Sequence, residues 1–80
     1  MQVQIRRSPN SWETILVPSE EDAMRTIKEP YPDAVSVPWV ADYDQLDPRG
    51  RPSGQIKLVY ENQITLGRKS RLIARIRKHS

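Results

Sequence analysis

The sequence contains no cysteine and no phenylalanine, only three glycines, and a single histidine. Without cysteine there is neither a disulfide framework nor a thiolate metal site. The lone His79 provides neither a metal-ligand set nor a base paired with a nucleophile. The glycines stand apart at positions 50, 54 and 67, so no glycine-rich phosphate loop is present. These absences predict a protein that is not an enzyme and that holds no metal or cofactor.

Long apolar runs are also missing. No stretch approaches the roughly 18 apolar residues that a membrane-spanning helix needs. The first residues, 1–5, alternate between polar and apolar side chains and lack the apolar region of a signal peptide. We therefore expect no membrane partner, and a cytoplasmic protein is the simplest interpretation.

The composition predicts one small domain, residues 1–80, with a modest core. Hydrophobic residues make up 36% of the 80 residues and charged residues 29%. A chain of this size is close to the limit at which one core suffices. Trp12 and Trp39 are expected to anchor that core, and a homodimer or a bound partner would add stability that the core lacks.

Alternating apolar residues predict most of the secondary structure as strands. The first hairpin is expected over residues 2–17, with its turn at residues 8–11. A third strand is predicted over residues 34–41, where Pro38 cannot donate to a ladder and so indicates an edge or bulged strand. A second hairpin is predicted over residues 55–66, and residues 42–54 are expected to form an exposed loop.

One helix is predicted over residues 19–28. Ser19 can accept from the free amides of the first turn, and the three acids that follow it suit the positive end of the helix dipole. Glu29 precedes Pro30, so the helix must end near Lys28.

The final segment, residues 68–79, fits two descriptions. A helix beginning at Ser70 places Leu72, Ile73 and Ile76 on one face, whereas a strand places Leu72, Ala74 and Ile76 together. The residue types favour the helix by propensity. The predicted fold class is therefore α+β: an antiparallel sheet of about five strands, the N-capped helix 19–28 and a basic C-terminal helix 70–79.

The charge is unevenly distributed along the chain. Residues 1–48 hold four cations and nine acids, a net charge of −5, whereas residues 49–78 hold nine cations and one acid, a net charge of +8. Such a separation indicates an electrostatic partner. The basic C-terminal segment is interpreted as a phosphate-contacting surface, because a solvated face usually interleaves the two signs. Its cations are Arg68, Lys69, Arg71, Arg75, Arg77 and Lys78.

The predicted loop contains the string Pro48-Arg49-Gly50-Arg51-Pro52. It resembles the core of the AT-hook, a small DNA-binding motif, although Asp47 and Ser53 replace the basic flanks usual in that family. The resemblance implies an extended Arg-Gly-Arg in the narrow minor groove of A·T-rich duplex. The alternative is a tight surface turn carrying two solvated arginines.

Two further features of the loop bear on its function. The acidic string 42–47 does not fit a calcium loop, because Asp47 stands where glycine is required. Tyr43 is the best candidate in the loop for stacking on a base or for anchoring a protein interface.

The leading hypothesis is a non-enzymatic protein that binds an anionic partner, DNA or RNA, through Arg49, Arg51, Tyr43 and the basic C-terminal segment. Because no Asn or Gln lies among the C-terminal cations to pair with adenine, affinity should exceed sequence specificity. The alternative is a small protein that binds another protein or a nucleoprotein machine stoichiometrically, as an adaptor or a phage-type inhibitor, through its acidic or basic surface.

Overall fold

The computed structural model of the protein describes residues 1–61 and 71–79. Within them, six antiparallel strands form one sheet in the order β2-β1-β6-β5-β3, with β4 also paired to β5. The strands are β1 (Gln2–Ser8), β2 (Ser11–Leu16), β3 (Ala34–Ser36), β4 (Val40–Ala41), β5 (Gly54–Glu61) and β6 (Arg71–His79). One helix, α1 (Glu20–Lys28), follows β2 and packs against β1 and β6. The α+β class is confirmed.

Helix α1 forms where the sequence predicts it. The Ser19 side chain accepts a hydrogen bond from the backbone N–H of Asp22 at 3.3 Å, and Glu20, Glu21 and Asp22 fill the first turn. Ala23 and Ile27 are buried against the sheet. The cap therefore satisfies an amide that would otherwise lack an intrahelical acceptor, and the narrow apolar stripe fixes the helix on the sheet.

Replacing Ser19 with alanine is expected to lower the free energy of unfolding by about 1 kcal/mol, because the amide of Asp22 loses its acceptor. Urea denaturation followed by circular dichroism measures this. The matched control is Ser36→Ala on an exposed position of β3, which should stay within about 0.5 kcal/mol of the parent. Equal losses in the two variants would contradict the capping role.

The N-terminal hairpin is also confirmed. Strands β1 and β2 pair from Gln2–Leu16 to Arg6–Trp12, with an irregularity between Arg6 and Ser8 before the turn. The N-terminal ammonium donates to the carbonyl of Val17 at 2.7 Å, which closes the open end of the hairpin.

The predicted strand 34–41 is split into β3 and β4 at one edge of the sheet. Pro38 lies between the two short strands, in the position where a residue without an N–H interrupts a ladder. The backbone N–H of Val37 still donates to the carbonyl of Leu58 at 3.0 Å. The expectation of an edge strand disturbed by Pro38 is therefore confirmed.

The predicted C-terminal helix 70–79 is wrong, because residues 71–79 form β6. This strand lies between β1 and β5 and pairs with both, so its backbone groups are satisfied across the sheet rather than within a helix. The pairing with β5 shifts register between Val59 and Tyr60, and the adjacent Ile73 and Ala74 are both buried in the core. That bulge breaks the alternation that would have identified a strand.

The core lies between α1 and the sheet face beneath it. Its fully buried side chains come from β1, α1, β5 and β6, so all four elements depend on one another. They are Val3, Ile5, Ala23, Ile27, Val59, Ile73, Ala74 and Ile76. The predicted strand over residues 63–66, and with it Arg68, Lys69 and Ser70, lies outside the described residues.

Candidate functional site

The sheet has two unlike faces. Residues paired across neighbouring strands share a face, so Val3, Ile5 and Ile76 define the side covered by α1, the helix face. The neighbouring pairs Arg6–Trp12 and Gln4–Arg75 then lie on the opposite side, which we term the open face because no helix covers it within residues 1–61 and 71–79. Arg77 pairs with Gln2 and shares the open face.

Cations on the helix face are engaged within the protein. The Nζ of Lys57 donates to the carboxylate of Glu20, the first residue of α1. The ammonium groups of Lys57 and Lys78 lie 5.4 and 4.3 Å from the ring centroid of Trp39. The hydrogen bond from Lys57 lowers the pKa of Glu20 below its ordinary value of 4.5. Lys78 therefore packs on an indole on the same side as Glu20, instead of extending a cationic ridge.

The pair of Glu20 with Lys57 predicts a pH-dependent contribution to stability. Because the pKa of Glu20 is lower in the folded protein, the pair contributes its full stabilisation above pH 4.5. This stabilisation is lost as the pH falls through the folded-state pKa of Glu20, which lies below 4.5. Glu20→Gln should therefore destabilise the protein at pH 7, by less than about 1 kcal/mol because the pair is partly exposed. The deficit should shrink below pH 4.5. Glu29→Gln, which removes an exposed carboxylate, is the control, and a pH-independent deficit would contradict the assignment.

Two cations of the C-terminal segment are neutralised by carboxylates. Arg71 donates to Glu61 at 3.0 Å at one end of β6. Near the other end, Arg77 donates to Asp44 at 2.9 Å, and its Nε lies 3.5 Å from the carboxylate of Asp42. These two arginines are therefore engaged within the fold, and their positive charge is less available to bind an external anion.

Asp42 connects the loop 42–53 to the sheet. Its side chain is 1% exposed and accepts from the backbone N–H of Asp44 at 3.1 Å and from the side-chain amide of Gln45 at 2.7 Å. The backbone N–H of Asp42 donates to the carbonyl of Gly54 at 3.0 Å. The carboxylate therefore orders the start of the loop and places a negative charge beside Arg77.

The open face carries a cluster of two arginines and a tryptophan. The guanidinium of Arg6 lies 4.9 Å, and that of Arg75 4.8 Å, from the ring centroid of Trp12, within the range of a cation–π contact. Within residues 1–61 and 71–79, neither arginine has a carboxylate at ion-pair distance. We name these three residues the Arg–Trp–Arg cluster. It is a cationic, aromatic surface with its charge unneutralised.

Sequence reasoning identified Arg75 but missed Arg6 and Trp12. Trp12 was expected in the core, and Arg6 belongs to the half of the chain whose net charge is negative. The predicted hairpin contained the signal, because its short turn places Arg6 opposite Trp12.

The Pro48-Arg49-Gly50-Arg51 segment forms the turn of a small hairpin. Asp47 accepts at its carbonyl from Gly50 N–H and at its side chain from Arg49 N–H and Arg51 N–H, all at 2.9 Å. Gly50 has a φ of 79°, the left-handed conformation that closes a three-residue hairpin loop. The segment therefore adopts the turn alternative rather than the extended form of an AT-hook. Both arginine side chains are exposed.

Tyr43 is 72% exposed and lies at the start of the same loop. Further exposed apolar side chains lie on β3, on β4, between these two strands and in the loop. They are Val35, Val37, Val40 and Leu46. The structure thus separates Tyr43 from the Arg–Trp–Arg cluster, because β3 and β4 lie beside β5 whereas Trp12 lies on β2 at the opposite edge.

Comparisons with protein-family models, curated proteins and solved structures found no significant match for this chain. Among residues 1–61 and 71–79, α1 is the only helix, and it is too short and too polar to cross a membrane. In the same residues, no three acidic or histidine side chains are grouped so that they could hold a metal ion.

Proposed function

We propose that the protein is a non-enzymatic nucleic-acid-binding protein whose open sheet face contacts the polyanion. The observation that carries the proposal is the Arg–Trp–Arg cluster, in which two guanidinium groups lie on an indole without a neighbouring carboxylate in the described part of the chain. Arg7, Arg25, Lys57, Arg71 and Arg77 each have a carboxylate partner, whereas Arg6 and Arg75 combine an unneutralised guanidinium with contact to one shared indole. Arginine is suited to phosphate because its planar fork donates two hydrogen bonds at once.

Arg49 and Arg51 supply a second contact in this proposal. The Asp47 side chain is engaged by their backbone amides, which leaves the guanidinium groups directed by the turn into solvent. Because the turn is closed, we expect phosphate contacts rather than insertion along a minor groove. Arg49→Ala with Arg51→Ala should then weaken binding to A·T-rich and mixed-sequence duplex equally. A selective loss on A·T-rich duplex would instead support the AT-hook hypothesis.

A salt-titrated gel shift tests the main proposal. Binding to generic DNA or RNA is expected at low salt, and the logarithm of affinity should fall linearly with the logarithm of salt concentration. The double variant Arg6→Gln/Arg75→Gln should reduce that slope by about 1.4 on a single strand or about 1.8 on a duplex, the value for two lost phosphate contacts.

The matched control is Arg7→Gln/Arg25→Gln, which removes two arginines already paired with carboxylates. This control should leave the salt slope unchanged. Absence of binding at low salt by the unmodified protein would contradict the proposal. Equal effects of the two double variants on the salt slope would show that the open face is not the binding surface.

A second candidate function is stoichiometric binding of another protein, as an adaptor or an inhibitor. The exposed apolar side chains within residues 35–46 favour it, since groups of exposed apolar side chains are typical of interfaces. Tyr43 would be the anchor. In this case no gel shift is expected at low salt, and a complex isolated from the source cells should be lost in Tyr43→Ser but retained in the double variant Arg6→Gln/Arg75→Gln.

A further inference from the structure

This inference rests on the proposed function and specifies its ligand. We infer that the open face binds single-stranded nucleic acid in preference to duplex, with the Arg–Trp–Arg cluster as a subsite on which an unpaired base stacks.

The first argument is the position of the cluster on the open face of the sheet. Trp12, Arg6 and Arg75 come from three adjacent strands, β2, β1 and β6. A sheet face that carries aromatic and guanidinium planes can contact splayed bases, whereas a duplex keeps the faces of its bases covered by their neighbours. The cluster therefore offers a contact that only an unpaired base can use fully.

The second argument is the charge of the cluster itself. An apolar stacking platform would accept any planar ligand, but here two guanidinium groups place positive charge against the indole. A nucleotide presents a planar base and an anionic phosphate within one residue. It therefore matches both properties of the cluster, whereas an acidic peptide matches the charge alone.

The third argument is that polar atoms beside the cluster are unsatisfied. Within the described part of the chain, the carbonyl oxygen of the Gln4 side chain and the Nε of Arg6 are buried without a hydrogen-bond partner. Gln4 pairs directly with Arg75 across β1 and β6, so it lies under the same surface. Unsatisfied buried polar groups cost free energy and are uncommon in folded proteins. A ligand that supplied hydrogen-bond partners to these atoms would remove that cost in the bound state.

The test separates stacking from charge by replacing arginine with lysine. The variant Arg6→Lys/Arg75→Lys keeps both charges but removes the planar guanidinium groups. Affinities for a twelve-residue oligothymidylate and for a twelve-base-pair duplex are measured at one salt concentration by fluorescence anisotropy. The parent should bind the single strand more tightly. The variant should lose about tenfold on the single strand and less than twofold on the duplex, with an unchanged salt slope.

Trp12→Leu provides a second readout, with Thr14→Ala as the control on the same strand and face. Trp12→Leu should remove the single-strand preference, while Thr14→Ala should keep it. Circular dichroism shows whether Trp12→Leu folds. If it does not, the variant Arg6→Lys/Arg75→Lys alone tests the inference. Equal binding of single strand and duplex by the parent, or equal losses on both in the lysine variant, would overturn the inference and leave nucleic-acid binding intact. No binding to either ligand would overturn the proposed function as well.

Discussion

Replacing Asp42 with alanine is expected to lower the free energy of unfolding by about 3 kcal/mol and to release the loop 42–53 from the sheet. The carboxylate is 1% exposed and accepts hydrogen bonds from Asp44 and Gln45. It also lies beside Arg77, whose side chain is only 15% exposed. Its removal leaves a largely buried guanidinium with one exposed carboxylate for compensation, and an unbalanced buried charge costs several kcal/mol.

The measurement is urea denaturation together with limited proteolysis of the native protein. Asp42→Ala should lower the midpoint of unfolding and make the loop a site of rapid cleavage, because its start is no longer fixed. Asp44→Ala is the control, since that carboxylate is 75% exposed and its ion pair with Arg77 should contribute at most about 1 kcal/mol. Similar losses in the two variants would show that burial of Asp42 is not what makes the pair important.

The same network bears on the proposed function. Asp42 and Asp44 neutralise Arg77, which lies on the open face with Arg6 and Arg75. Among the described arginines of this face, Arg77 is therefore neutralised whereas Arg6 and Arg75 of the Arg–Trp–Arg cluster are not. In the proposed function, phosphate binding on this face would then depend on two arginines rather than on a continuous basic surface.

The parts of the fold that the sequence predicts correctly are those with local signals. The N-cap at Ser19 and the acidic first turn lie within four residues of one another, and Pro30 limits the other end of α1. The first hairpin depends on a short turn and on alternation over a few residues. Each of these features is determined by neighbours in sequence, so no knowledge of the rest of the chain is needed.

The C-terminal strand could not be predicted in the same way. Its partners are β1, more than sixty residues earlier in the chain, and β5, and these contacts satisfy its backbone groups despite the helix propensity of Leu, Ala, Arg and Lys. The bulge that buries both Ile73 and Ala74 further conceals the strand pattern. Pairing with β1 and β5 therefore determines that residues 71–79 form a strand, although their helix propensity and their interrupted alternation favour a helix.

The candidate site shows why counting charge by segment is a poor guide to a surface. The hypothesis of a basic C-terminal surface requires the cations of residues 49–78 to lie together. Successive residues of β6 point to opposite faces of the sheet, so Lys78 lies on the helix face and Arg77 on the open face. Acids from the negative half, Glu20, Asp42 and Asp44, then neutralise some of these cations. Two of the three residues of the unneutralised Arg–Trp–Arg cluster, Arg6 and Trp12, belong to residues 1–48, the half of the chain with a net negative charge.

Replacing Ile76 with alanine should have the largest effect on stability of any substitution considered for this protein, a loss of about 3 to 4 kcal/mol. Ile76 is fully buried at the centre of the sheet, opposite Val3 on β1 and Lys57 on β5, so truncation opens a cavity that no single strand can close. An 80-residue domain typically has about 4 to 12 kcal/mol of stability in total, so the loss removes between about a quarter and all of it. Leu16→Ala is the matched control, because Leu16 is 81% exposed on the edge strand β2 and should change the free energy of unfolding by less than about 0.5 kcal/mol. Urea denaturation of both variants at one pH distinguishes them. A loss of less than about 1 kcal/mol at Ile76 would mean that β6 does not form the centre of the core.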